Sequence, residues 1–173
     1  MPELWDIVDE HGNKTGRFHE RGVPMLEGDY HPSVTVWIVN SRDEFLISKR
    51  APAPGRHAVG MWESTGGAVV AGEDSLTAAL REVREELGLT LDPEQGRVYK
   101  SYTYPHSNGD GAAYITVWVF RRDADLAEIV LQPEETSDVM WADADTIRSM
   151  MTEGRFIPFD YFDDLCGWIE RKR

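Results

Sequence analysis

Residues 67–89, GAVVAGEDSLTAALREVREELGL, decide how this chain is read. From Ser75 to Leu87 the apolar residues Leu76, Ala79, Leu80, Val83 and Leu87 recur at helical spacing. Asp74 or Ser75 can cap the N-terminus of that helix, and Gly88 can close it in the left-handed conformation. Glu82, Glu85 and Glu86 then stand at i, i+3 and i+4, one acidic strip beside the apolar stripe. Such a strip costs a few tenths of a kcal/mol per like-charged pair. Arg81 and Arg84 can offset part of this, and a hard divalent cation such as Mg²⁺ or Mn²⁺ offsets more, because it prefers several carboxylate oxygens.

By itself an acidic strip is an ordinary solvated helix face. What precedes it shifts the reading: Gly66 to Glu73 reads as a tight, glycine-bounded loop running into the helix N-terminus. Glycine permits positive φ and close backbone approach, so a carbonyl can face a metal and amides can face phosphate oxygens. A plain strand-to-helix turn would account for the glycines but not for a loop joined to three acids and Arg81.

Outward from this segment, the chain has 173 residues, enough for one compact domain with its own core. No internal repeat or long linker divides it. Leu4–Asp9 and Lys14–His19 flank His11-Gly12-Asn13 and read as a β-hairpin extension occupying residues 1–28. Val34–Val39 and Phe45–Lys49 are β-branched, apolar runs that read as paired strands, and residues 51–58 carry the turn chemistry of a surface loop. Further strands are expected at Arg97–Tyr104 and Ala113–Arg121, joined by a hairpin tip at Gly109-Asp110-Gly111, and at Val139–Ala142. Helices are expected at Ala144–Met151 and Tyr161–Arg171. The class is α/β (α+β), with a central mixed sheet covered by helices on both faces.

Composition narrows the function. A formal net charge of −13 argues against a sequence-independent hold on nucleic acid, which needs Lys and Arg to displace phosphate counterions. It equally repels a phosphate-bearing small molecule unless divalent cations intervene. No apolar run reaches the roughly 20 residues needed to span a bilayer, and the first residues lack the basic and apolar character of a secretory signal, so no membrane partner is expected. The single cysteine, Cys166, precludes an internal disulfide and suits a reducing cytoplasm; it reads as a packing residue.

Gly67, five residues, Glu73, seven residues and then Arg81-Glu82-Val83-Arg84-Glu85-Glu86-Leu87-Gly88-Leu89 resembles the complete Nudix box, with every defining position filled. The resemblance implies a Nudix-type α/β/α sandwich and a hydrolase that cleaves a diphosphate linkage in a small molecule. Residue by residue, it implies that Glu82, Glu85 and Glu86 bind Mg²⁺ or Mn²⁺, with the Gly67 carbonyl as a further ligand, and that Arg81, helped by Glu73, orients the carboxylates. Glu82 is the first candidate for the base that accepts the proton of the attacking water. In some relatives that base lies on a distal loop, and Glu134 and Glu135 occupy the equivalent place, although an acidic surface turn explains them as well. Arg50, at a strand end ahead of the box, is a candidate phosphate ligand along with the amides of Gly66 and Gly67; a surface ion pair is its plainer reading. His31 and His57 read as loop histidines.

The N-terminal hairpin, His31, Lys49-Arg50-Ala51 and Gly60-Met61-Trp62 also resemble the isopentenyl diphosphate isomerase branch of the superfamily. Its isomerases carry a Cys-Gly-His arrangement ahead of the box glutamate, where this chain has Gly66-Gly67-Ala68, so hydrolysis is favoured over isomerisation. A third possibility, a Nudix-fold module that binds a nucleotide without turning it over, fits poorly with an intact set of box carboxylates. Tyr102, Tyr104, Tyr114, Trp118, Phe159 and Tyr161 could stack on a base but read more simply as packing residues. The hairpin and the C-terminal helix are places where a symmetric homodimer could form.

Overall fold

The computed structural model describes residues 2–52, 57–107 and 111–172. Strands β1 (Leu4–Val8) and β2 (Lys14–Glu20) form a separate antiparallel hairpin. The main sheet contains β3 (His31–Val39), β4 (Phe45–Arg50), β5 (Trp62–Glu63), β6 (Thr65–Ala68), β7 (Gly96–Ser107), β8 (Gly111–Arg121) and β9 (Thr136–Ala142). Helices α1 (Ser75–Leu87), α2 (Ala144–Thr152) and α3 (Phe162–Arg171) cover it. The sheet is mixed because β3 runs parallel to β8, in register from His31 opposite Ala113 to Val39 opposite Arg121, while its other pairings are antiparallel.

Side-chain alternation along β3 explains the layers. Val34, Val36 and Ile38 face one side and pack with Ala78, Ala79, Val83 and Leu87 of α1. Trp37 and Val39 face the other and pack with Ile147 and Met150 of α2 and with Phe162, Leu165 and Ile169 of α3. Fully burying each large apolar side chain contributes about 1.5–3 kcal/mol, so the two faces together anchor the helices. No helix among the described residues is long and apolar enough to cross a membrane.

The expected pairing of β3 with β4 is present but short. These strands share only two Cα partners, Ile38 with Leu46 and Val39 with Phe45. Beyond that point they diverge, and the gap is filled from both sides: β6 pairs with β3 through Ser33–Val36, and β5 pairs with β4 at Ser48 and Lys49. Neither β5 nor β6 is legible in the sequence, because strands of two and four residues are too short to carry an alternation signal. Gly66 and Gly67 therefore lie in a strand, not in the loop expected for them, and neither has positive φ; the left-handed glycine of this segment is Gly72, at φ 89°.

Other boundaries move little. α1 spans the expected residues, Asp74 caps it by accepting from the Thr77 amide, and Gly88 closes it at φ 68°. The strands at 96–107 and 136–142 begin earlier than expected. Two of the three residues expected as the hairpin tip, Gly109 and Asp110, lie outside the described residues, as do residues 53–56 of the expected surface loop.

Candidate active site

The splayed end of β3 and β4 opens into a cavity of about 370 Å³. It is lined by Gly66, Gly67 and Ala68 from β6, by Arg81, Glu82, Glu85 and Glu86 from α1, by Arg50 at the end of β4, and by Gln132 and Glu135 ahead of β9. His31 and Ser33 of β3, Val70 between β6 and α1, and Glu3, Trp5 and Arg21 of the hairpin region complete the wall.

Arg81 is the hub. Its Nε and Nη2 donate to the two Glu73 carboxylate oxygens at 2.9 and 3.0 Å. Nη1 donates to Glu82 Oε1 at 2.7 Å and to Glu85 Oε2 at 3.1 Å, and Nη2 also reaches the Ala68 carbonyl at 2.9 Å. One planar guanidinium thus ties the loop acid, two strip acids and the end of β6 together, a geometry that a lysine could not reproduce. Glu73 is held in turn by the Val70 amide, which donates to its Oε2 at 3.2 Å.

The glycine at 67 matters through close approach. A Cβ there would lie 2.5 Å from the Glu82 carboxyl carbon and 2.7 Å from its Oε2. A side chain at Gly66 would strike the Val34 carbonyl. The strand is therefore bare where the helix acid arrives, and the Glu82 carboxylate sits against the Gly67 backbone. Burial pushes the Glu82 pKa up, against the opposing pull of Arg81.

Whether these residues suit a divalent cation is a matter of donor chemistry. Glu82, Glu85, Glu86 and the Gly66–Ala68 stretch of β6 line one cavity and offer carboxylate and carbonyl oxygens, the hard donors that Mg²⁺ and Mn²⁺ favour. Among the described residues, no three His, Cys, Asp or Glu side chains are already gathered for a metal ion; Arg81 draws two of the strip acids, Glu82 and Glu85, to itself. The residues fit the ion in kind.

The remaining candidates sort as follows. Glu135 lines the cavity, brought beside Arg50 by the Ala51 amide donating to the Glu135 carbonyl at 2.9 Å, whereas Glu134 is exposed and outside the lining. Arg50 also lines it, but its Nη1 donates to both Glu63 oxygens at 2.9 and 2.8 Å and its Nε to the His57 carbonyl at 3.1 Å, so the ion-pair reading describes its present contacts. His57 is an exposed loop residue. His31 is not: it opens β3, is 4% exposed, stacks on Trp5 at 4.4 Å and has Ser33 Oγ at 3.3 Å from its Nδ1. Cys166 packs half-buried on α3 against the aromatic face, away from the cavity lining, with its thiol pushed up to about 11 by burial.

The hairpin's share in the cavity had been missed. Trp5, almost fully buried, hydrogen-bonds Glu3, and Arg21 lies over its ring at 6.0 Å. The available signal was Asp6, an acid inside the otherwise apolar run Leu4-Trp5-Asp6-Ile7-Val8.

A family model for the NUDIX domain matches residues 29–164. The chain belongs to the NUDIX family. An uncharacterised Nudix hydrolase of Listeria innocua is 32% identical over 164 residues, covering 94% of this chain and 93% of its own. Isopentenyl-diphosphate Delta-isomerase 1 of Aromatoleum aromaticum is 29% identical over 150 residues, covering 85% of this chain and 81% of its own. A crystal structure of a Deinococcus radiodurans protein superposes with a TM-score of 0.73, 24% identity and 98% coverage of both chains, which establishes the fold. The NUDIX chain is a hydrolase; hydrolases of this family act on nucleoside-diphosphate-linked substrates and generally use divalent metals. The first 28 residues, which include the hairpin, lie outside the matched NUDIX segment.

Proposed function

We propose that this Nudix hydrolase cleaves the diphosphate linkage of a nucleoside diphosphate joined to another moiety, or of a related organic diphosphate, at the cavity between α1 and the splayed strands. The observation that carries the reading is the Arg81 hub, which gathers Glu73, Glu82 and Glu85 against the glycine-bare β6 in one cavity. Glu82, Glu85, Glu86 and the Gly67 carbonyl would hold a divalent cation, which would supply charge neutralisation and Lewis-acid polarisation at the diphosphate.

The chain's own residues do the rest. Arg81 and Glu73 hold the carboxylates in position, and Arg50 and the amides of Gly66 and Gly67 serve as phosphate contacts, Arg50 by exchanging Glu63 for a phosphate oxygen. Glu82, whose carboxylate lies against the Gly67 backbone in the cavity, is the first candidate for the proton acceptor. Glu135, which lines the same cavity, is the second candidate. Isomerase relatives keep a second reading open, yet alkene protonation lacks its thiol: Cys166 packs on α3 and is absent from the cavity lining.

The test is a panel of ADP-ribose, diadenosine tetraphosphate and nucleoside triphosphates with Mg²⁺ or Mn²⁺, reading substrate loss and identifying both products by mass. Glu85→Gln should lower turnover by roughly 100-fold or more. Equal metal-dependent turnover by Glu85→Gln and wild type would overturn the assignment.

A further inference from the structure

The hairpin does more than wall the cavity. Its first strand grips the segment that joins β6 to α1: the Ala71 amide donates to the Leu4 carbonyl at 2.8 Å, and the Gly72 amide donates to Asp6 Oδ2 at 2.9 Å. Lys14 of β2 donates to the same Asp6 oxygen at 2.8 Å and extends to the Glu73 carbonyl at 3.4 Å. Asp6 is only 6% exposed, so its carboxylate lies inside this junction and not on the surface.

From Asp6 the contacts run unbroken to the acidic strip. Gly72 turns the chain at φ 89°, and the next residue, Glu73, holds Arg81 with both oxygens; Arg81 then holds Glu82 and Glu85. A shift of the Gly72–Glu73 peptide moves the anchor of the guanidinium, and the guanidinium sets where the strip acids sit. Resting on the site reading above, we infer that Asp6 is a positioning residue for hydrolysis, acting from outside the matched NUDIX segment through Gly72, Glu73 and Arg81. Its low pKa, set first by the Gly72 amide and then by Lys14, keeps it ionised for this role.

A merely structural hairpin contact would cost stability alone, and Asp9 supplies the comparison. Its carboxylate accepts from the His11 and Asn13 amides, both at 2.9 Å, within the hairpin turn. Kinetics of full-length wild type, Asp6→Ala, Asp6→Asn and Asp9→Ala are measured on the fastest-cleaved member of the panel, corrected for folded fraction by circular dichroism. Mn²⁺ binding to each is titrated without substrate by electron paramagnetic resonance. Asp6→Ala should lower kcat by about 10–100-fold with KM within about threefold, and weaken Mn²⁺ binding by about tenfold. Asp6→Asn, which keeps an oxygen for the Gly72 amide, should recover part of kcat, and Asp9→Ala should stay within about twofold of wild type. Wild-type turnover or wild-type Mn²⁺ affinity in Asp6→Ala would overturn the inference, as would an equal loss in Asp9→Ala. An active Glu85→Gln would remove the site reading and this inference together; an inactive Glu85→Gln beside a fully active Asp6→Ala removes the inference alone.

Discussion

The two faces of the central sheet are built from different materials. Behind α1 the contacts are mainly aliphatic, with Ala78 and Ala79 fully buried in one cluster with Val34 and Val36, and Phe120 and Trp118 at its side. Behind α2 and α3 they are aromatic, with Trp37 within 5.5 Å of Phe45, Phe159 and Phe162. Small residues let α1 lie close to the strands, and Gly66 and Gly67 extend that closeness to the point where Glu82 meets the backbone. The aromatic face fills volume and holds two helices that contribute no residue to the cavity lining. One face is dimensioned for a site and the other for stability.

Breaking the aromatic face should give the largest loss of stability. Phe162→Ala should cost about 3–5 kcal/mol, read by urea unfolding, while kcat per folded molecule measured at low temperature stays near wild type. Overpacking the other face inverts the pattern. Ala79→Leu should cost only about 1–3 kcal/mol but displace α1 and reduce kcat at least as far as Asp6→Ala does. If Ala79→Leu kept full turnover per folded molecule, the close approach of α1 would not be what sets the site.

The pH response sharpens the contrast further. Glu82 holds its proton more tightly in the folded chain than in the unfolded one, because burial raises its pKa. In EDTA-treated protein its contribution to stability therefore falls as pH rises from the unfolded glutamate value, about 4.3, through the raised folded value, and then levels off. Glu82→Gln should abolish that component of the urea-unfolding profile. Asp74 has the opposite sign: its pKa is lowered, first by the Thr77 amide, so its stabilisation is complete above the unfolded aspartate value and is lost as pH falls through the folded one. The smallest expected effect is Asp74→Ala, about 1 kcal/mol from loss of the α1 cap, with the pH dependence on the acid side flattened accordingly.

Legibility followed the range of the interactions. α1, its cap, its closing glycine and its acidic strip depend on residues within a few positions of one another, and they stand where local periodicity put them. The parallel partnership of β3 with β8 joins residues about eighty positions apart, and β5 and β6 exist only because β3 and β4 separate. His31 was misread for the same reason: nothing near it in the chain announces that Trp5 will cover it.

By itself the sequence determined the family, the box helix and the identity of its acids, because spacing along one helix needs no knowledge of the rest of the molecule. Only the tertiary structure decided that the glycines serve close approach in a strand, that Glu135 and not Glu134 faces the cavity, and that Arg81 holds Glu73, Glu82 and Glu85 at once. It also placed the hairpin against the loop ahead of α1, with Asp6 on the Gly72 amide. Those relations are distances between segments remote in sequence, and packing across the sheet is what sets them.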